Sequence, residues 1–139
     1  ALSSAASDVY KRQVLDWAQH ISLDGGLTTI VFLVVITRVL AELADSLAAA
    51  AIMTPIALQF AVDAGLNPTP YFFIIIMAYS ENFILPLSPR AVSVGSGLDA
   101  KKMMCYGIPI SAATSVVVIL IGYFLMQFWP PFSSLLYTG

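Results

Sequence analysis

The sequence predicts an all-α membrane protein made of a re-entrant helical hairpin, a proline-broken helix and a terminal transmembrane helix. Three observations carry this expectation. Of 139 residues, 59% are hydrophobic and 10% charged, whereas a soluble domain carries about a quarter charged residues; there is too little polar surface to cover a folded body in water. Mean hydropathy is +0.88, and Met103 to Gly139 contains no charge at all. Finally, charges and prolines interrupt stretches that are otherwise apolar, at Arg38, Glu42, Asp45, Glu81, Pro86, Pro89 and Arg90.

Composition also excludes function classes. Six Lys plus Arg and a net charge of -2 provide no basic face, which argues against a nucleic-acid partner. The single Cys105 rules out an intrachain disulfide framework and multi-cysteine metal sites, and the lone His20 rules out a His-pair site. No Ser or Cys has a paired His and no two carboxylates have a convincing spacing for acid and base work, so an enzyme is not expected.

Residues 3–13, SSAASDVYKRQ, resemble the in-frame translation of a sequencing-library adapter. Residues 1–13 are therefore set aside from the fold argument, and the natural sequence is expected to extend upstream of Val14. Removing Lys11, Arg12 and Asp8 leaves four basic and seven acidic residues. Residues 14–25 read as a polar, amphipathic connector, with Trp17 and His20 near a membrane boundary, where aromatic belts sit.

The hairpin is expected over 26–64. Its first uncharged run, Gly25 to Thr37, has 13 residues; at about 1.5 Å each it cannot cross a core of about 30 Å. The second run, Ser46 to Val62, has 17 and contains Pro55. Two short arms joined by charges suggest a hairpin that enters and leaves by one face. The alternative is a single long crossing helix with a charge-bearing stripe.

Gly65-Leu66-Asn67-Pro68-Thr69-Pro70 is a break, because proline lacks an amide donor and pushes its predecessor out of the helical region. A broken helix follows over 69–98. It is interrupted by Glu81 through Arg90 and closed at Gly95-Ser96-Gly97, which lacks the lysine of a phosphate loop. The last span covers 103–129 and stops at Pro130-Pro131. Lys101 and Lys102 place the preceding loop in the cytoplasm. The C-terminus and residues 64–70 then face outward, with the hairpin opening to that side.

Irregular backbone at membrane depth is tolerated only where protein or a watery cavity surrounds it, and secondary transporters bind ions and substrates at such unwound points. The order of short motifs supports this direction. Pro55-Ile56-Ala57, Gly65-Leu66-Asn67-Pro68, Gly95-Ser96-Gly97 and Met103 to Gly107 resemble, in sequence order and spacing, the C-terminal half of the divalent anion:sodium symporter family, the dicarboxylate and sulfate carriers. The resemblance covers nearly all of the chain after residue 13. It implies half of an inverted-repeat, multi-pass carrier in a prokaryotic inner membrane, completed by an N-terminal half and forming a homodimer in the lipid bilayer. Such a carrier moves a small anion (dicarboxylate, tricarboxylate or sulfate) by cation coupling, with Na+ as the coupling ion, or by exchange. The other function class is a small integral membrane protein with a structural or partner-binding role.

The resemblance also places the site. The family's Ser-Asn-Thr tip falls on Asp45-Ser46-Leu47, preceded by Ala44, and its Thr-Pro-Pro-Asn break falls on Leu87-Ser88-Pro89-Arg90. In the family these motifs jointly bind sodium and part of the substrate carboxylate, which would put sodium in the Asp45/Ser88 region. Here the tip gains an anion and the break a cation, so Asp45 is the expected partner of Arg90, with Glu42 and Glu81 as competitors. The Arg90 guanidinium would stand where sodium binds, or face an anionic substrate. Plain readings stand beside these. Arg38 and Glu42, one turn apart, neutralise each other; Glu81 carries a proton or partners Arg90; Ala48 to Ala51 serve tight packing; Cys105 is a small apolar filler.

Overall fold

The computed structural model describes residues 2–21, 23–81, 83–85 and 89–132. Among them six α-helices follow in order: α1 (Leu2–His20), α2 (Leu27–Leu43), α3 (Ser46–Asp63), α4 (Pro68–Ser80), α5 (Pro89–Gly95) and α6 (Ala100–Phe128), before a 3-10 turn at Pro130–Phe132. No strand occurs among the described residues. Helices α3 and α6 are long and apolar enough to cross a bilayer. The chain is an all-α membrane protein, as its composition implies.

Helix α1 departs from the expected layout. It runs without interruption through the boundary placed between Gln13 and Val14, and the connector expected over 14–25 is helical as far as His20. No Gly or Pro lies between Leu2 and His20, and Ala, Leu, Lys, Arg and Gln all favour a helix. Val14 is buried at 1% exposure, and α1 packs on α3.

Helices α2 and α3 are the two arms of a hairpin, which decides against one long helix. The chain turns at Ala44-Asp45. At the opposite end the arms close, because a Cβ on Gly25 would meet the side chain of Leu66 and the Tyr71 hydroxyl donates to the Gly25 carbonyl at 2.6 Å. Residues before α2 therefore neighbour residues after α3, and the arms run antiparallel. Arm α2 is 17 residues long, longer than its 13-residue uncharged run, because the helix continues through Arg38 and Glu42.

Packing explains the alanines. Ala49, Met53, Ala57 and Ala61 are fully buried, one residue in four along α3, where α3 meets α2 and α4. Of the Ala48–Ala51 run only Ala49 is buried, and Ala51 is exposed. The close approach is thus made by a four-residue spacing and not by the run itself, since neighbours on a helix point about 100° apart.

Helix α3 stops at a Schellman turn. The amide of Leu66 donates to Ala61 O at 2.7 Å and that of Gly65 to Val62 O at 3.0 Å, with Gly65 at φ 67°, a conformation that glycine adopts without a Cβ penalty. Asn67 then caps α4 by accepting from the Thr69 amide at 3.1 Å, with Pro68 at the first helical position, where no amide is needed. The Asn67 amide also reaches Pro131 O at 3.5 Å. The Gly65–Pro70 turn and the hairpin base therefore lie at the C-terminal end of α6. Lys101 and Lys102 lie exposed at its other end.

Helix α6 buries Gly107, Ser111, Gly122 and Met126 against α2 and α4. Its other faces expose Val116, Leu120, Phe124 and Phe128, an apolar surface suited to lipid or to further protein.

Candidate functional site

The last turns of α2 carry Arg38 and Glu42 on one face, since residues four apart are neighbours on a helix. Both are buried, at 5% and 7% exposure. Burying an isolated charge is costly, so each needs a partner. Both find it after α4, in Glu81 and residues 83–85, which are non-helical.

Sequence explains why that stretch is non-helical. Pro86 disfavours helical geometry at Leu85, and α4 ends at Ser80 with Glu81 in an extended conformation. The ending leaves carbonyls behind it and amides ahead of it without helical partners. Arg38 takes the first kind. Its Nη1 donates to the Glu81 carbonyl at 2.9 Å, and its Nη2 donates to Glu81 Oε2 at 2.8 Å, placing a cation at a helix C-terminus, where the dipole favours it. Glu42 takes the second kind. Its Oε1 accepts from the amides of Phe83 at 2.7 Å and Ile84 at 3.0 Å, and its Oε2 accepts from Leu85 at 2.9 Å.

Helix α6 closes the third side. A Cβ on Gly107 would collide with the Phe83 carbonyl, so only glycine lets the two backbones meet there. One turn on, Ser111 Oγ lies 3.4 Å from Arg38 Nη1. Ser111 stands about 16 Å along α6 from its start and about 25 Å from its end. The clamp is thus within the span of the longest apolar helix, well away from both ends.

The structure brings three of the expected residues together: Arg38, Glu42 and Glu81. Arg38 makes its ion pair with Glu81, 43 positions away, and not with Glu42 one turn along its own helix. Glu81 pairs with Arg38, whereas its alternative partner, the Arg90 side chain, lies outside the described residues. At the hairpin tip, Asp45 is half-buried and caps α3 through backbone only, Ser46 is half-buried, and Ala44 and Leu47 are exposed. Leu87, Ser88 and the side chains of Pro89 and Arg90 lie outside the described residues, as does the expected Asp45–Arg90 pair. Sequence reasoning missed Gly107 and Ser111 as clamp residues; the available signal was their four-residue spacing, which puts two small residues on one face of α6. Among the described residues no three His, Cys, Asp or Glu are grouped to hold a metal ion.

No family model matches the chain, and no solved structure matches it. The chain is similar to a curated protein, the sodium-dependent dicarboxylate transporter SdcS of Staphylococcus saprophyticus. The two are 27% identical over 128 residues, which covers 87% of this chain and 25% of the relative. The chain therefore spans about a quarter of that relative's length.

Proposed function

We propose that this chain is the C-terminal part of a secondary active transporter that moves a small anion, of the dicarboxylate, tricarboxylate or sulfate kind, and that it has no enzymatic role. One observation carries the reading. A non-helical backbone segment beside the middle of the long apolar helix α6 is held by two buried charges from a hairpin helix, which supports the arrangement in which irregular backbone survives inside a bilayer and serves a binding site. The staphylococcal likeness agrees and favours Na+ as the coupling ion. In this reading the hairpin is re-entrant, with its base at the outer face and its tip, Ala44 to Leu47, meeting residues 87–90 near mid-depth. The site is completed by an N-terminal half of the same protein, and the whole is a multi-pass, homodimeric carrier in a prokaryotic inner membrane.

The test is uptake of radiolabelled succinate by proteoliposomes holding the full-length protein. Accumulation driven by an inward Na+ gradient is expected, and Val14 to Gly139 alone should transport nothing, because inverted-repeat carriers build the site between two halves. If succinate, citrate and sulfate all fail to accumulate or exchange, under either a Na+ or a proton gradient, a structural role replaces the transporter reading.

A further inference from the structure

The ion pair at the centre of the clamp is asymmetric. Arg38 is fixed, with a side chain 6% exposed and held between α2, α6 and residue 81, whereas the Glu81 side chain is 36% exposed. The guanidinium is also only partly used. Its Nη2 meets one Glu81 oxygen, while Nε, which shares an edge of the planar fork with Nη2, is buried with no hydrogen-bond partner. Thr37, the preceding residue, buries a second unpartnered polar atom, its hydroxyl. Buried polar groups are nearly always hydrogen-bonded, and an arginine edge is matched by two oxygens of one oxyanion. Glu81 therefore holds half of a two-point anion site, leaving the other half buried and unpartnered.

We infer that Arg38 is a binding residue for the carboxylate or sulfate group of a small anion, and that Glu81 is a tethered carboxylate occupying its place when the anion is absent. This rests on the transporter reading for its choice of ligand. The exchange is electrostatically even, because one anion leaves the buried cation as another arrives, and at no stage is the guanidinium left unpaired in a medium where that is costly. The released Glu81 side chain swings to the side from which it is already exposed. Its backbone carbonyl stays on Nη1, so the break keeps its geometry while the side chain changes partner. The incoming oxyanion takes Nε and Nη2 together, which Glu81 does not.

The test uses the purified full-length protein with succinate and sulfate as probes. Arg38→Lys keeps the charge and removes the two-point edge; succinate binding should weaken by about tenfold or more. Glu81→Gln removes the competing charge, and binding should tighten several-fold. In the parent protein, saturating succinate should raise carbodiimide labelling of the Glu81 carboxylate, since the anion frees it; this arm decides the matter if the Arg38→Lys variant does not fold. A response to sulfate and not succinate would make the ligand a tetrahedral oxyanion. Unchanged Glu81 labelling at saturation, undiminished binding by Arg38→Lys, or binding of neither probe would each overturn the assignment. The two readings separate cleanly. Arg38-dependent binding without uptake sinks transport and keeps the site, whereas full uptake by Arg38→Lys sinks the site and keeps transport.

Discussion

At Glu42 one carboxylate does the work of three backbone carbonyls, accepting from the consecutive amides of Phe83, Ile84 and Leu85. Charge-assisted bonds of this kind are about twice as strong as neutral ones. Glu42→Gln should therefore lower stability by about 2 kcal/mol, and Glu42→Ala by more, since it leaves buried amides unpaired; thermal unfolding in detergent reads both. Gly107 and Gly122 provide a matched comparison on one helix. An added methyl at Gly107 strikes the Phe83 backbone, which cannot move without breaking the clamp, whereas at Gly122 it meets Cγ1 and Cδ1 of the Ile74 side chain and no backbone. Gly107→Ala should cost about 1 to 3 kcal/mol and Gly122→Ala less.

At the scale of the helices, the four-residue stripe of α3 makes a comparable prediction. Ala57 is fully buried and Ala51 exposed, so Ala57→Leu should destabilise by about 1 to 3 kcal/mol while Ala51→Leu leaves the melting temperature nearly unchanged. The breaks between helices were legible in the sequence because Gly65, Pro68 and Pro86 act locally, through φ and the missing amide. The interruptions at Arg38, Glu42 and Asp45 suggested two arms but left one long helix equally open, because a helix can run through charges, as α2 does through Arg38 and Glu42. Helix α1 was not legible, because its polar composition says nothing of the partner that buries Val14. The charged residues of the site could be named from their depth alone. Their pairing could not, since a four-residue spacing suggests a bond between Arg38 and Glu42, and only the return of Glu81 and residues 83–85 against α2 offers each a better partner.

For the whole molecule the arrangement predicts a sidedness. Thr69 lies at the end of the fold where Asn67 meets Pro131, and Lys101 lies at the other end of a 29-residue helix. In a background with the exposed Cys105 replaced by Ala, Lys101→Cys should react with an impermeant maleimide only from the cytoplasmic side and Thr69→Cys only from outside. Labelling of both from the same side would overturn the orientation and the re-entrant hairpin together.

The clamp also imposes an order on biosynthesis. Arg38 and Glu42 leave the ribosome 43 and 41 residues ahead of their partners Glu81 and Phe83. Until then α2 carries a cation and an anion that lipid will not accept. The nascent hairpin must wait beside the membrane, or within the insertion channel, until α4 emerges and supplies the backbone that neutralises it. In the full-length protein with Cys105 replaced, a chain arrested at Asp63 should accordingly leave an Arg38→Cys thiol open to an impermeant maleimide, and one that extends through Gly95 should protect it.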